Sequence, residues 1–114
     1  MADIDLTVYQ VSRAGTAAVD FTTNHTNAVA GNTYKFVNNG RVVIIAAPTA
    51  ALTAIGVVTQ ATVDSKAVAD DALTGTNGKT QVWGPWPPAI YNDAYGKVSV
   101  TVDQNTDLMA VRVP

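Results

Sequence analysis

The sequence predicts an all-β fold, an antiparallel β-sandwich or jelly-roll-like barrel, on three observations. The composition leans on Val, Thr, Ala, Asn and Gly; Leu is scarce, Glu is absent and all nine acidic residues are Asp. β-Branched residues suit pleated strands and Asn, Asp and Gly suit turns, whereas helices draw on Leu, Glu, Lys and Arg. Short β-prone runs recur between turn signals, roughly seven to nine of them, a spacing typical of sandwiches and barrels. The length of 114 residues matches one domain with one core, so residues 1–114 read as a single β domain, with 1–5 a flexible N-terminal arm.

The elements follow in order. Leu6 to Val11 is β-branched and aromatic and predicts the first strand, closed by a turn at Ser12-Arg13-Ala14-Gly15. Residues 16–31 are small and polar, with Val19 and Phe21 spaced for one face of a short strand or for a loop. Tyr34-Lys35-Phe36-Val37 and Val42-Val43-Ile44-Ile45 flank Asn39-Gly40, the strongest short-range signal for a type I′ hairpin. A two-residue loop would set Phe36 opposite Val43 and Tyr34 opposite Ile45, all on one core face.

Pro48-Thr49-Ala50 predicts a corner, and Leu52 to Thr59 a strand with a bulge signal at Gly56. Residues 64–80 read mostly as loop, with a short strand near Val68 or Leu73 and a second hairpin signal at Asn77-Gly78. Gln81 to Trp86 is extended, Pro87-Pro88 belongs at an edge or corner, and residues 92–96 are a turn. Lys97 to Asp103 alternates strictly, burying Val98, Val100 and Val102. Leu108 to Val113 closes the chain, with Met109, Val111 and Val113 on one side. The expected core includes Phe36, Val43, Val98, Val100, Val102 and Val111.

Charge and residue inventory narrow the function. A formal net charge of −2 and a pI near 4.9 argue against a nucleic-acid partner, which requires a basic stripe. With no Cys, disulfides, thiolate metal sites and Cys nucleophiles drop out. The single histidine, His25, lacks a nucleophile elbow around it and reads as a turn or surface residue. Asn24-His25-Thr26 matches the glycosylation pattern, but the acidic N-terminus carries no secretory signal to give it a context.

The Asp residues lie in turns, where they bond their own backbone, and Asp70-Asp71 makes no calcium loop. Phosphate-cradling Gly motifs are absent. The expectation is a non-enzyme with no catalytic residues, no cofactor and no metal. An uncharged run of 22 residues from Val42 to Val63 is long enough to span a membrane. Pro48 and the interspersed Thr and Gln residues argue instead for two buried or partner-covered strands and no membrane.

Aromatic residues are the remaining lead. Val82-Trp83-Gly84-Pro85-Trp86-Pro87-Pro88 packs two Trp and three Pro into a short stretch. In an extended strand Trp83 and Trp86 face opposite ways, one inward and one outward. The candidate partner-binding residues are Trp83, Trp86, Pro87, Pro88 and Tyr91.

With these residues in view, the chain resembles the small β-structured virion proteins of tailed bacteriophages, of the capsid decoration (cement) kind. The stretches that carry the resemblance are Val11-Ser12-Arg13-Ala14-Gly15, Lys35-Phe36-Val37-Asn38-Asn39-Gly40-Arg41, Gly84-Pro85-Trp86-Pro87-Pro88-Ala89-Ile90-Tyr91-Asn92-Asp93 and Gly96-Lys97-Val98-Ser99-Val100. The proline-rich stretch is the most specific. Trp86 stands where the pattern leads one to expect Phe, and residues 49–80 match only loosely.

The resemblance implies a viral structural protein made in the bacterial host cytoplasm. It would bind the outer capsid surface of the virion, with the major capsid protein and itself, favoured as a homotrimer, as partners. Another virion location, a head fibre, neck or tail, is an alternative. A rival from another class is a carbohydrate-binding module, which requires Trp83 or Trp86 as a flat exposed platform.

Overall fold

The computed structural model describes residues 3–11, 21–49, 52–60, 62–63, 66–67 and 70–113. In chain order the elements are β1 (Asp3–Asp5), β2 (Val8–Gln10), α1 (Phe21–Asn24), β3 (Thr26–Ala28), β4 (Thr33–Val37), β5 (Val42–Pro48), β6 (Leu52–Val57), β7 (Thr62–Val63), β8 (Lys66–Ala67), β9 (Asp71–Thr76), β10 (Gln81–Trp83), α2 (Pro88–Tyr91), β11 (Lys97–Val102) and β12 (Thr106–Arg112). The first sheet runs β1-β4-β11-β6-β9. The second runs β10-β5-β12-β2, with β3 also on β12, and β7 and β8 pair separately. The all-β sandwich read from composition and turn spacing is the observed architecture.

Both sheets turn apolar side chains toward a shared core. Tyr34 and Phe36 of β4, Val98, Val100 and Val102 of β11, and Ile55 and Val57 of β6 enter it from the first sheet. Val42, Ile44 and Ala46 of β5 and Leu108 and Ala110 of β12 enter from the second. The period-2 alternation of β5 is clean: its even-numbered residues are buried and its odd-numbered ones half-buried. The expected core members Phe36, Val98, Val100 and Val102 are there. Val43 is not, because it points to the opposite face of the second sheet. Val111 is buried on that same outer side and lies outside the central cluster.

The hairpin expected at Asn39-Gly40 does not form. β4 pairs with β11, and β5 pairs with β10 and β12, so the turn carries the chain from one sheet to the other. Gly40 does take positive φ, +88°, as the turn signal requires. The adjacent Asn38, however, is buried. Its Oδ1 accepts the Gly40 N–H at 2.9 Å, and its backbone N–H donates to the Gly96 carbonyl at 3.0 Å. These bonds bend the chain out of the plane a hairpin would keep. Tyr34 and Phe36 thus share the core with Val42 and Ile44 rather than standing beside Val43 and Ile45.

Asn77-Gly78 behaves the same way. Gly78 has φ +81°, yet β9 and β10 lie in different sheets. The bulge signal at Gly56 also has another cause. Gly56 sits in regular register opposite Thr101 and Ala72, and a Cβ there would lie 3.0 Å from Thr101 Oγ1.

The strand expected over Leu6 to Val11 is confined to β2, Val8–Gln10, and β1 precedes it. β1 runs parallel to β4 and β2 runs parallel to β12, with the buried Leu6 at the crossover donating its N–H to the Lys35 carbonyl at 2.7 Å. Residues 3–5 of the expected arm are therefore a strand. Ile4 packs against the core while Lys35 reaches Asp3 at 3.5 Å and Lys97 reaches Asp5 at 3.0 Å. Phe21 lies in the single turn of α1 rather than in a strand. The segment read mostly as loop contains the six-residue β9 around Leu73. The Ser12–Gly15 turn, Val19, Ala50 and Val68 fall outside the described residues.

Candidate functional site

The Trp-Pro segment links β10, an edge strand of the second sheet, to β11 of the first. Trp83 is opposite Ile44 in the register of β10 on β5, which directs it to the core side, where it is half-buried. Gly84 then leaves strand geometry at φ +115°, before a cis bond to Pro85. A Cβ at position 84 would meet Trp86 Cζ3 at 2.9 Å and the Val42 carbonyl oxygen at 3.2 Å, so only glycine lets the backbone fold this closely over the indole. Trp86 is 4% exposed and tilts against Phe36 with ring centroids 6.1 Å apart. Both Trp side chains thus face inward. The expected inward–outward split fails because Gly84 breaks the strand between them.

Asn38 ties this segment to the sheet crossover. Its Nδ2 donates to the Trp86 carbonyl at 3.0 Å and to Asn92 Oδ1 at 2.8 Å, and Asn92 Nδ2 donates back to the Asn38 carbonyl at 3.0 Å. Beyond it, Asp93 Oδ1 accepts the backbone N–H groups of Tyr95 at 2.8 Å and Lys97 at 3.1 Å. Lys35 Nζ lies 3.9 Å from the other carboxylate oxygen. The residues around 38–40, 84–93 and 96–97 therefore form one interlocked end of the sandwich.

Opposing influences act on the Asp93 carboxyl. Burial pushes its pKa up, but the Lys97 and Tyr95 N–H bonds and the charges of Lys35 and Lys97 together outweigh it, leaving it below its ordinary value. A carboxyl with a lowered folded pKa contributes stability that is present above the unfolded value and lost as pH falls through the folded one. Thermal unfolding of wild type and Asp93→Asn from neutral pH into strong acid should show wild type losing its advantage only below about pH 4. Parallel curves for the two proteins would refute this role.

Of the five residues expected to contact a partner, Pro87 and Pro88 are exposed. Trp86 is buried, and Trp83 and Tyr91 are half-buried and packed on the core. Neither Trp stands as a flat exposed platform for a sugar. Exposed apolar residues that sequence reasoning missed are Tyr95, 84% exposed at the turn before β11, and Ile90 of α2. A large aromatic among the turn formers of residues 92–96 was the legible signal for Tyr95.

A second apolar row lies on the outer face of the second sheet, where Met109 and Val111 are buried, Tyr9, Val43 and Ile45 are half-buried and Val82 is exposed. Val82, Ile45 and Met109 are register neighbours across β10, β5 and β12, and Val43, Val111 and Tyr9 across β5, β12 and β2. Val82 is 58% exposed. The uncharged stretch from 42 onward thus supplies apolar side chains to both faces of a central strand.

His25 follows α1. Its Nδ1 is 2.9 Å from the Phe21 carbonyl oxygen and its Nε2 is 3.6 Å from Asp107 Oδ1, which also accepts from Asn27 Nδ2 at 3.1 Å. The contacts anchor the α1 turn to β12. Asp70 Oδ1 accepts the Thr59 N–H at 3.0 Å and its hydroxyl at 3.3 Å. Among the described residues, no three His, Cys, Asp or Glu side chains gather in a metal-binding group. Comparison with protein-family models, with curated proteins and with solved structures finds no match to this chain.

Proposed function

We propose that this chain is a bacteriophage virion structural protein, a capsid decoration (cement) protein that binds the outside of the head and bridges neighbouring major capsid protein subunits. The observation that carries the reading is the convergence of the stretches bearing the resemblance. Residues 35–41, 84–93 and 96–97 are separated in sequence yet lock together through Asn38, Trp86, Asn92 and Asp93. Their combination is a folding unit, and it leaves Pro87, Pro88, Ile90 and Tyr95 exposed at one end. The exposed Val82 on β10 offers a further apolar contact to dock on a shell. Shallow contacts repeated over a lattice gain strength through avidity.

The test mixes purified protein with expanded shells that lack it and images the particles. Density over the outer head surface, bridging subunits, is the expected result. Val82→Asp should weaken shell binding by about tenfold or more, because it places a charge in the apolar contact, while leaving stability within about 0.5 kcal/mol. Density confined to the tail or neck, or no binding, would reject the proposal.

A further inference from the structure

Sheet edges offer unpaired backbone groups to other chains, and proteins blunt them with short strands, charge or proline. In the first sheet β1 is three residues long, with its two Asp side chains held by Lys35 and Lys97. In the second, β10 is three residues long and runs into Gly84-Pro85, and β2 is three residues long. β9 differs. It runs for six residues, Asp71–Thr76, contains no proline or lysine, and among the described residues pairs on one side only, with β6.

The direction of its free groups follows from the ladder. Ala54 of β6 turns its backbone toward β11: its N–H donates to Asp103 Oδ1 at 2.7 Å, and its carbonyl accepts from the Asp103 N–H at 3.2 Å. Facing residues of an antiparallel pair either both point at each other or both point away. Thr74, opposite Ala54, and Ala72, opposite Gly56, therefore point their N–H and C=O outward. Thr76 points outward too, and its groups are used within the chain: Gln81 Oε1 accepts its N–H at 2.8 Å, and the Lys79 N–H donates to its carbonyl at 3.2 Å. Among the described residues Ala72 and Thr74 are left as the open part of the edge, and both are exposed.

We propose that β9 is a self-association edge, and that its occupant is β9 of a second copy of this chain in antiparallel, two-fold pairing centred on Leu73. In that register Ala72 faces Thr74 of the second copy and Thr74 faces its Ala72, each pair exchanging both backbone hydrogen bonds. Asp71 stands opposite Gly75 and Asp70 opposite Thr76, so no acidic position faces another. Charge complementarity selects this occupant. The exposed Asp70 lies at one end of the edge, and the exposed Lys79, without an ion pair among the described residues, lies just past the other. Antiparallel pairing brings Lys79 of each copy to Asp70 of the other.

The pairing is two-fold, in contrast to the trimer the family resemblance implies, and it stands independently of any capsid role. Sedimentation equilibrium of the full chain over a concentration series is the test. Wild type should pass from monomer to dimer. Thr74→Pro removes an outward N–H that no described residue of the monomer accepts, so it should keep the fold by circular dichroism and raise the dimer dissociation constant at least about tenfold. Lys79→Asp and Asp70→Lys should each weaken the dimer, and the double variant should restore it. A wild type that stays monomeric, one that forms trimers, or a dimer unmoved by Thr74→Pro and by the charge swap would each overturn the proposal. Shell binding, measured separately, reports on the capsid role alone.

Discussion

Trp86→Ala is expected to lower the unfolding free energy by about 3–5 kcal/mol, the range for removing a fully buried large aromatic and leaving a cavity. Domains of this size are stable by about 5–15 kcal/mol, so the loss removes a large fraction of the total and should lower the melting temperature clearly. The indole is enclosed by Phe36 on one side and by the backbone at Gly84 on another, and Val42 and Phe36 come from opposite sheets. Neither sheet can close the gap without moving the other. Trp83→Ala, at a half-buried position, should cost about 1–2 kcal/mol. Urea denaturation followed by circular dichroism checks both. A cost below about 1 kcal/mol for Trp86→Ala would mean that the ring is a surface group after all.

Asn38→Ala should cost about 2–3 kcal/mol, although it removes little apolar volume. The side chain serves the Trp86 carbonyl, Asn92 and the Gly40 N–H at once, and the site is buried. Its loss strands a carbonyl acceptor where water has poor access. Asn38→Asp is the sharper test, being nearly the same shape. A carboxylate cannot donate to the Trp86 carbonyl, and burial would raise the folded pKa of the new acid above its unfolded value. The Asp variant should therefore be less stable than Ala at neutral pH and recover relative to it as pH falls and the carboxyl protonates. Equal stability of wild type, Ala and Asp forms would remove Asn38 from the account of the fold.

The candidate site was legible in part. The Trp-Pro stretch stood out by composition, and its three prolines are exposed. Which Trp faces inward was not legible, because strand parity across 83–86 holds only if the strand is continuous, and Gly84 at φ +115° interrupts it. The role of Asn38 was also hidden. A buried Asn beside Asn-Gly looks like one more turn former until its amide is seen bonded to residues more than 40 positions away.

By itself the sequence determined the all-β class, the strands of β4, β5, β11 and β12 to within a few residues, and the places where the chain must turn. These are local properties: β-branched alternation suits a pleated strand wherever it lies, and Gly40 and Gly78 adopt positive φ whatever the strands beside them pair with. Pairing is not local. The choice between β4 bonding to β5 and each joining a different sheet depends on what the far ends of the chain offer. Here β11 meets β4 along Lys97–Thr101 and β12 meets β5 along its whole length. The tertiary structure decided that both Asn-Gly turns cross between sheets, because burying Tyr34, Phe36, Val42 and Ile44 between two layers removes more apolar surface from water than one two-stranded hairpin can.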